Sequence, residues 1–189
     1  MFSSGIVKSS TISRAIPSRT VESKSIISSA DIMVDDLTLD SRAVRPGTLF
    51  FALRGTRQHG IAFAGEAVRR GACAILWEPA EGVEPPPASP GVYVAAVPEL
   101  SRHVGVIADR FFDWPSSHLR IAGITGTNGK TTCAWLLAQA MDSLQGHAAY
   151  LGTLGAGPWQ GVRGGSHTTP DAVSVHREFA ALRAQGVRF

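Results

Sequence analysis

Gly123-Ile124-Thr125-Gly126-Thr127-Asn128-Gly129-Lys130-Thr131-Thr132 is the stretch on which the fold turns. The apolar run before it, Leu119 to Ile124, reads as a strand, and the residues from Lys130 to about Leu144 read as a helix. Strand, glycine-rich loop and helix, in that order, are the setting of a phosphate-binding loop. Gly126 and Gly129 let backbone N–H groups curl around an anion, and the helix N-terminus adds its partial positive charge. Lys130 is placed to reach the β- and γ-phosphates of a nucleotide, and Thr131 to offer its hydroxyl to Mg²⁺. Lys130 and Thr131 are therefore the candidate catalytic residues, and Thr131 the candidate metal ligand. Gly126, Thr127, Asn128, Gly129, Lys130, Thr131 and Thr132 form the candidate nucleotide-binding set. The general loop pattern has a glycine five positions before Gly129, where this sequence has Ile124. A glycine-rich turn with a lone lysine is the plain alternative, and Gly-Lys-Thr-Thr directly after a strand argues against it.

Outward from the loop, strands and helices alternate. Before it come strands over Leu49–Leu53, Cys73–Trp77 and Val92–Val97, with helices over Ile61–Arg70 and from Pro98 to about Phe112. Gly71 stands where a helix C-cap belongs, and Pro98 suits a first helical turn. Four prolines between Glu81 and Pro90 mark a loop. Asp113-Trp114-Pro115-Ser116-Ser117 breaks the pattern and marks a domain boundary. After the loop helix come a strand at Ala148–Leu151, a long loop over Gly152–Pro170 and a helix over Asp171–Gln185 with Asp171 at its N-terminal end. Val187 to Phe189 reads as a strand beginning. The alternation predicts an α/β fold with a parallel sheet.

The chain has 189 residues, 44% hydrophobic and 17% charged, enough for one compact domain and part of another. A net charge of +3 without a Lys/Arg run gives no ground for nucleic-acid binding. No apolar run approaches the roughly 18 residues that span a bilayer, so no membrane insertion is expected. Cys73 and Cys133 sit in apolar surroundings and read as small core residues, without the spacing of a zinc site. His103, His118, His147 and His176 are scattered without metal-ligand spacing. Residues 1–30 are Ser-rich, with Lys8, Arg14 and Arg19 before the first acid, Glu22. That composition resembles an organellar transit peptide, but its helical periodicity is weak, and an extension without structure is the preferred reading.

Gly-Thr-Asn-Gly-Lys-Thr-Thr closely resembles the nucleotide loop of the Mur ligases and folylpolyglutamate synthetases, ATP-dependent amide ligases that pass through an acyl phosphate. Leu37 to Arg42, Pro46 to Ala52, Gly55, Gly60 and Ala67 to Ala72 resemble the first domain of Mur ligases, which folylpolyglutamate synthetases lack. The Asn128 loop variant and His167-Thr168-Thr169-Pro170-Asp171 favour the branch that adds the third amino acid of the muramoyl peptide. The resemblance runs from about Asp36 to Phe189. It implies a small N-terminal α/β domain at 31–115 that binds the UDP substrate. The start of a P-loop ATPase domain with a parallel sheet would follow at 116–189.

Carried over by position, the resemblance assigns Leu39, Ser41, Thr56, Arg57, Gln58, His167, Thr168 and Thr169 to substrate binding. His59 stands where the family commonly has Asp. Ser41 and Asp40 also read as turn residues, Arg42 as a surface charge or a partner of Asp40, and Thr168 to Asp171 as a helix start. The implied partners are ATP, Mg²⁺, UDP-N-acetylmuramoyl-L-Ala-D-Glu and an amino acid, meso-diaminopimelate or L-Lys. A cytoplasmic monomer is expected. Family members are over twice this length and carry a later metal ligand, a carbamylated lysine and an amino-acid-binding domain. A fragment inactive alone is therefore expected, with residues 31–115 folding well and residues 116–189 marginal. The alternatives are a non-catalytic UDP-sugar- or nucleotide-binding remnant and the branch that adds D-Ala-D-Ala.

Overall fold

A computed structural model describes residues 32–56, 58–164 and 170–189. The chain divides into two compact units, 1–107 and 108–189.

In the first unit, β1 (Asp36–Thr38), β2 (Thr48–Ala52), β3 (Ala72–Trp77) and β4 (Tyr93–Ala96) form one sheet in the order β1-β2-β3-β4. Every neighbouring pair is parallel, with Leu37 beside Leu49, Phe50 beside Ile75 and Trp77 beside Ala96. All five residues of β2 are buried, as a strand covered on both faces requires. The period of two sorts the side chains. Phe50, Ala52, Ile75 and Trp77 join Val44 and the helical residues Ala64 and Ala67 in one cluster. Leu49, Phe51, Ala74 and Leu76, equally buried, alternate with them.

The helix expected over Ile61–Arg70 is a 3₁₀ turn, Gly60–Phe63, followed by α1, Ala64–Arg69. Gly71, just past its end at φ 97°, donates its N–H to the Val68 carbonyl at 2.9 Å, the expected stop. The next helix, α2 (Leu100–Phe111), buries Leu100, Val104 and Ile107. Pro98 is not in its first turn. Glu99 stands at φ 52°, a left-handed conformation that separates Pro98 from the helix. The division between the units falls within α2.

The second unit contains α3 (Pro115–His118), α4 (Lys130–Gln145), the hairpin β5 (Ala149–Gly152) and β6 (Gly155–Pro158), and α5 (Ala172–Ala184). α3 occupies the segment read as a break. Asp113 and Trp114 precede it at positive φ, and Pro115 sits in its first turn. Asp109 holds its start, accepting from the Ser116 N–H at 3.1 Å and the Ser116 hydroxyl at 2.7 Å. Asp171 caps α5 by accepting from the N–H groups of Val173 and Ser174, as its position predicts. His176 of α5 brings Nδ1 within 3.2 Å of Asp109 Oδ1, although the geometry is not that of a hydrogen bond.

Three local expectations fail in this unit. Leu119–Ile124 forms no strand. Its backbone tie is Arg120 N–H to the Arg188 carbonyl at 2.9 Å, while Arg188 bonds His147 and Ala149 bonds Phe189. An apolar run becomes a strand only along a partner ladder, and residues 187–189, themselves not a strand, supply only a rung or two. Second, the expected loop after Leu151 contains β6, antiparallel to β5, with Leu151 beside Ala156. Its glycines read as loop, but Gly155 is there because segment 161–164 closes over it. A Cβ at Gly155 would stand 1.9 Å from the Arg163 carbonyl oxygen.

Third, Cys133 is exposed, while Cys73 is half-buried, its thiol pKa raised by desolvation. Ala138 is buried on α4, and Cys133 lies off the helix face that Ala134, Leu137 and Ala138 present to a cavity. Apolar neighbours in sequence do not make a shared face in a helix. Of the four tryptophans, Trp77 is in the sheet core and Trp114 is exposed. Trp135 meets Tyr150 and Trp159 at ring-centroid distances of 5.3 and 4.4 Å, joining α4 to the hairpin.

Candidate functional site

The glycine-rich loop ends where the sequence places it. α4 begins at Lys130, and Gly129, in the cap position at φ 74°, offers no side chain to its first N–H groups. Those donors and the helix dipole are left for an anion. The Lys130 ammonium donates to the carbonyls of Gly126 and, at 3.3 Å, Thr127, so the lysine folds over its own loop. Thr127, Asn128 and Thr132 are exposed beside it. Thr131 Oγ1 lies 3.0 Å from Thr153 Oγ1, in the turn between β5 and β6. A cavity of about 360 Å³ opens here, with Gly123, Lys130, Thr131, Gly152 and Thr153 in its wall.

Thr153 was not singled out from the sequence; a Thr in a Gly-rich stretch carries no signal until the hairpin brings it back to the loop. Two hydroxyl oxygens suit Mg²⁺, a hard cation that takes oxygen ligands and usually shares them with substrate phosphates. No group of three or more His, Cys, Asp or Glu among the described residues could hold a metal ion. A hard cation held here would take Thr131 as one protein oxygen alongside phosphate oxygens.

In the first unit the predicted substrate residues follow the C-terminal ends of two parallel strands, the edge at which open α/β sheets bind ligands. Leu39 and Ser41 come after β1; Thr56 and Gln58 come after β2. A cavity of about 430 Å³ is formed by Arg54, Gly55, Thr56, Gln58 and His59 on one segment and Ala80, Glu81 and Val83 on another. It brings together Thr56 and Gln58, whereas Leu39 and Ser41 stand outside its described lining. Arg57, His167, Thr168 and Thr169 lie outside the described residues, as does the Ser-rich start.

Ser41 is 6% exposed and its hydroxyl donates to Glu66 Oε2 at 2.7 Å. Glu66 also pairs with Arg70 at 3.0 Å, and Arg70 donates to the Arg42 carbonyl at 3.1 Å. The Ser41 hydroxyl, ahead of Arg70, holds the Glu66 carboxyl below its ordinary range against some desolvation. The proton of Ser41 is thus committed to Glu66. Asp40 accepts from the Arg42 N–H and caps the short 3₁₀ turn Ser41–Ala43. Its carboxyl is held low chiefly by the Arg42 guanidinium, 2.8 Å away, so both plain readings of this pair are realised.

A parallel α/β unit, in one chain with a Gly-Lys-Thr-Thr loop at a helix start, defines an α/β protein that carries the elements of a phosphate-binding loop. The chain belongs to the Mur ligase family: residues 34–111 match the "Mur ligase family, catalytic domain" and residues 124–189 the "Mur ligase middle domain". It is 45% identical over 162 residues to the UDP-N-acetylmuramoyl-L-alanyl-D-glutamate–2,6-diaminopimelate ligase of Alkalilimnicola ehrlichii, covering 82% of this chain and 32% of that protein. The Pseudomonas aeruginosa enzyme of the same name is 43% identical over 158 residues, covering 84% of this chain and 32% of the relative. A solved structure of a ligase with this name aligns with a TM-score of 0.66 at 31% identity, covering 83% of this chain and 31% of that one. The chain spans about a third of the length of the curated relatives it matches.

Proposed function

We propose that this chain carries the substrate-nucleotide and ATP-binding parts of an ATP-dependent ligase of peptidoglycan precursor synthesis. The ligase joins the third amino acid to UDP-N-acetylmuramoyl-L-Ala-D-Glu. The names of the relatives favour meso-diaminopimelate over L-Lys as that amino acid. The observation that carries the reading is the glycine-capped loop, with Lys130 and Thr131 beside a cavity at the start of α4.

In this reaction the γ-phosphoryl group of ATP passes to the D-Glu side-chain carboxylate. The amine of the incoming amino acid attacks the acyl phosphate, and phosphate leaves. Lys130 turns from its loop carbonyls to the β- and γ-oxygens and stabilises the charge that grows there. The N–H groups of Gly126 to Thr132 orient the triphosphate. Mg²⁺, when bound at Thr131, screens phosphate charge. Thr168 and Thr169, with His167, would hold the muramoyl peptide in line, a positioning role. Leu39, Ser41, Thr56, Arg57 and Gln58 would hold the uridine diphosphate end. The proposed form is a cytoplasmic monomer, with domains at 31–115 and 116–189.

Calorimetry of UDP-N-acetylmuramoyl-L-Ala-D-Glu with the 189-residue chain, beside Ser41→Ala, tests the reading. Saturable binding that the variant weakens is expected. No binding by a folded chain overturns it in favour of a remnant without the site.

A further inference from the structure

The loop between β2 and α1 is held by a histidine. His59 ends that loop at φ −73° and ψ 137°. Its ring makes two bonds of opposite sense. The Ile61 N–H donates to Nδ1 at 3.1 Å, and Nε2 lies 2.9 Å from the Glu78 carbonyl oxygen. A backbone N–H can only donate and a carbonyl can only accept. The ring is therefore neutral, with its proton on Nε2 and its lone pair on Nδ1.

The neighbouring contacts leave the loop little freedom. Gly60 donates to the Leu53 carbonyl at 2.7 Å, and a Cβ at Gly60 would stand 2.9 Å from the Ala52 Cα. Glu78 bonds back to β2 through its N–H to the Ala52 carbonyl at 3.1 Å. Its carboxylate accepts from the Arg54 N–H at 3.4 Å and the Ser101 hydroxyl at 2.9 Å. One wall of the 430 Å³ cavity is formed by residues 54–56, 58 and 59, and the other begins two residues beyond Glu78. The bond from His59 to the Glu78 carbonyl, at 2.9 Å, is the shorter of two side-chain ties between the bases of the walls, the other being the 3.4 Å bond from the Arg54 N–H to the Glu78 carboxylate.

We propose that His59 is a positioning residue. Held as the Nε2–H tautomer, it sets the gap between residues 54–56 and 58 on one side and 80–83 on the other, and so the fit of the uridine diphosphate end of the substrate. The assignment of ligand rests on the reading above; the tautomer and the tie do not. The two variants that each keep half of the ring's bonding separate the roles. His59→Gln retains a donor amide that reaches the Glu78 carbonyl. His59→Asn retains only the near acceptor for the Ile61 N–H. His59→Ala keeps neither.

The experiment uses the full 189-residue chain. Nitrogen-15 NMR of the imidazole is expected to show a protonated Nε2 and a bare Nδ1, and backbone amide exchange at 54–58 is expected to quicken in His59→Ala. Calorimetry with UDP-N-acetylmuramoyl-L-Ala-D-Glu is expected to show about tenfold weaker binding for His59→Ala and His59→Asn, and near wild-type binding for His59→Gln. A ring protonated on Nδ1, or unchanged amide exchange in folded His59→Ala, overturns the proposal whatever the ligand does. Equal binding by wild type and His59→Ala, or no rescue by His59→Gln, overturns it as well. If the wild type fails to bind while the tautomer and exchange results hold, the ligand reading falls and His59 stands as a tie of the cavity walls.

Discussion

The two units spend their apolar residues differently. Among the described residues, the buried apolar side chains up to Ile107 include Phe50, Phe51, Ile75, Leu76 and Trp77, all in adjoining strands of one parallel sheet. The buried set from Ala108 onward is small: three alanines, Pro115, Tyr150, Val173, Leu182 and Val187. The same unit exposes Ile121 by 49%, Leu136 by 55%, Leu144 by 79% and Leu154 by 50%. Buried apolar area stabilises at about 25 cal/mol per Å², so burial favours the first unit more than the second. The second carries the loop with the most recognisable chemistry. A motif can thus be sharpest in sequence where the structure around it is least consolidated.

The largest test of this contrast is Phe50→Ala. Phe50 is 1% exposed, and emptying such a site costs about 3–5 kcal/mol. Urea unfolding followed by Trp77 fluorescence is expected to lose the first unit's transition; a shift under 1 kcal/mol would end the idea that this sheet dominates. Next comes Gly155→Ala, which forces a Cβ onto the Arg163 carbonyl and should unfold the hairpin at a cost of about 2 kcal/mol or more. The first unit's transition should stay in place. In untreated chain, limited proteolysis is expected to cut beyond Leu119 well before residues 32–107. Equal resistance would erase the contrast.

Lys130→Ala sharpens the comparison in function. It should weaken ATP binding at least tenfold, about 1.4 kcal/mol, and leave binding of the UDP substrate unchanged. Loss of both would mean that the two activities are not separable by unit. The smallest effect is acidification. Glu66 and Asp40 are both held below the ordinary carboxylate range. A depressed folded value stabilises above the unfolded pKa of about 4. That contribution is lost as pH falls through the lower folded value. The first unit should weaken slightly below pH 4, less so in Glu66→Gln; a larger acid loss in the variant contradicts the assignment.

Much of this was legible from residue order. Leu49–Leu53, Cys73–Trp77 and Val92–Val97 announced strands as short apolar runs; both-face burial writes such a run in β2 and β3, whereas β4 is only partly buried. Gly71 and Asp171 marked helix ends because their conformations and caps are local. What escaped depends on distant partners. β6 is written in glycines, required by segment 161–164 folding over them. Leu119–Ile124 is apolar enough for a strand, but local pattern cannot say whether a ladder exists. Pro98 matched a helix start until Glu99 took a positive φ. At the candidate sites, Lys130 and Thr131 belong to a local signature, legible from residue order alone. Glu66, Thr153 and the tie from His59 to Glu78 exist only through contacts 19 to 25 residues apart in the chain.

The strands of the parallel sheet differ in length: three residues in β1 and four in β4 flank five and six in β2 and β3. Short outer strands offer a foreign chain few free backbone groups to zip onto. This sheet is thereby shielded from recruiting others into fibrils. Leu119–Ile124 has no such shield. It is apolar, largely exposed and almost without backbone partners, so the start of the motif by which the chain is recognised is also where misassembly would begin.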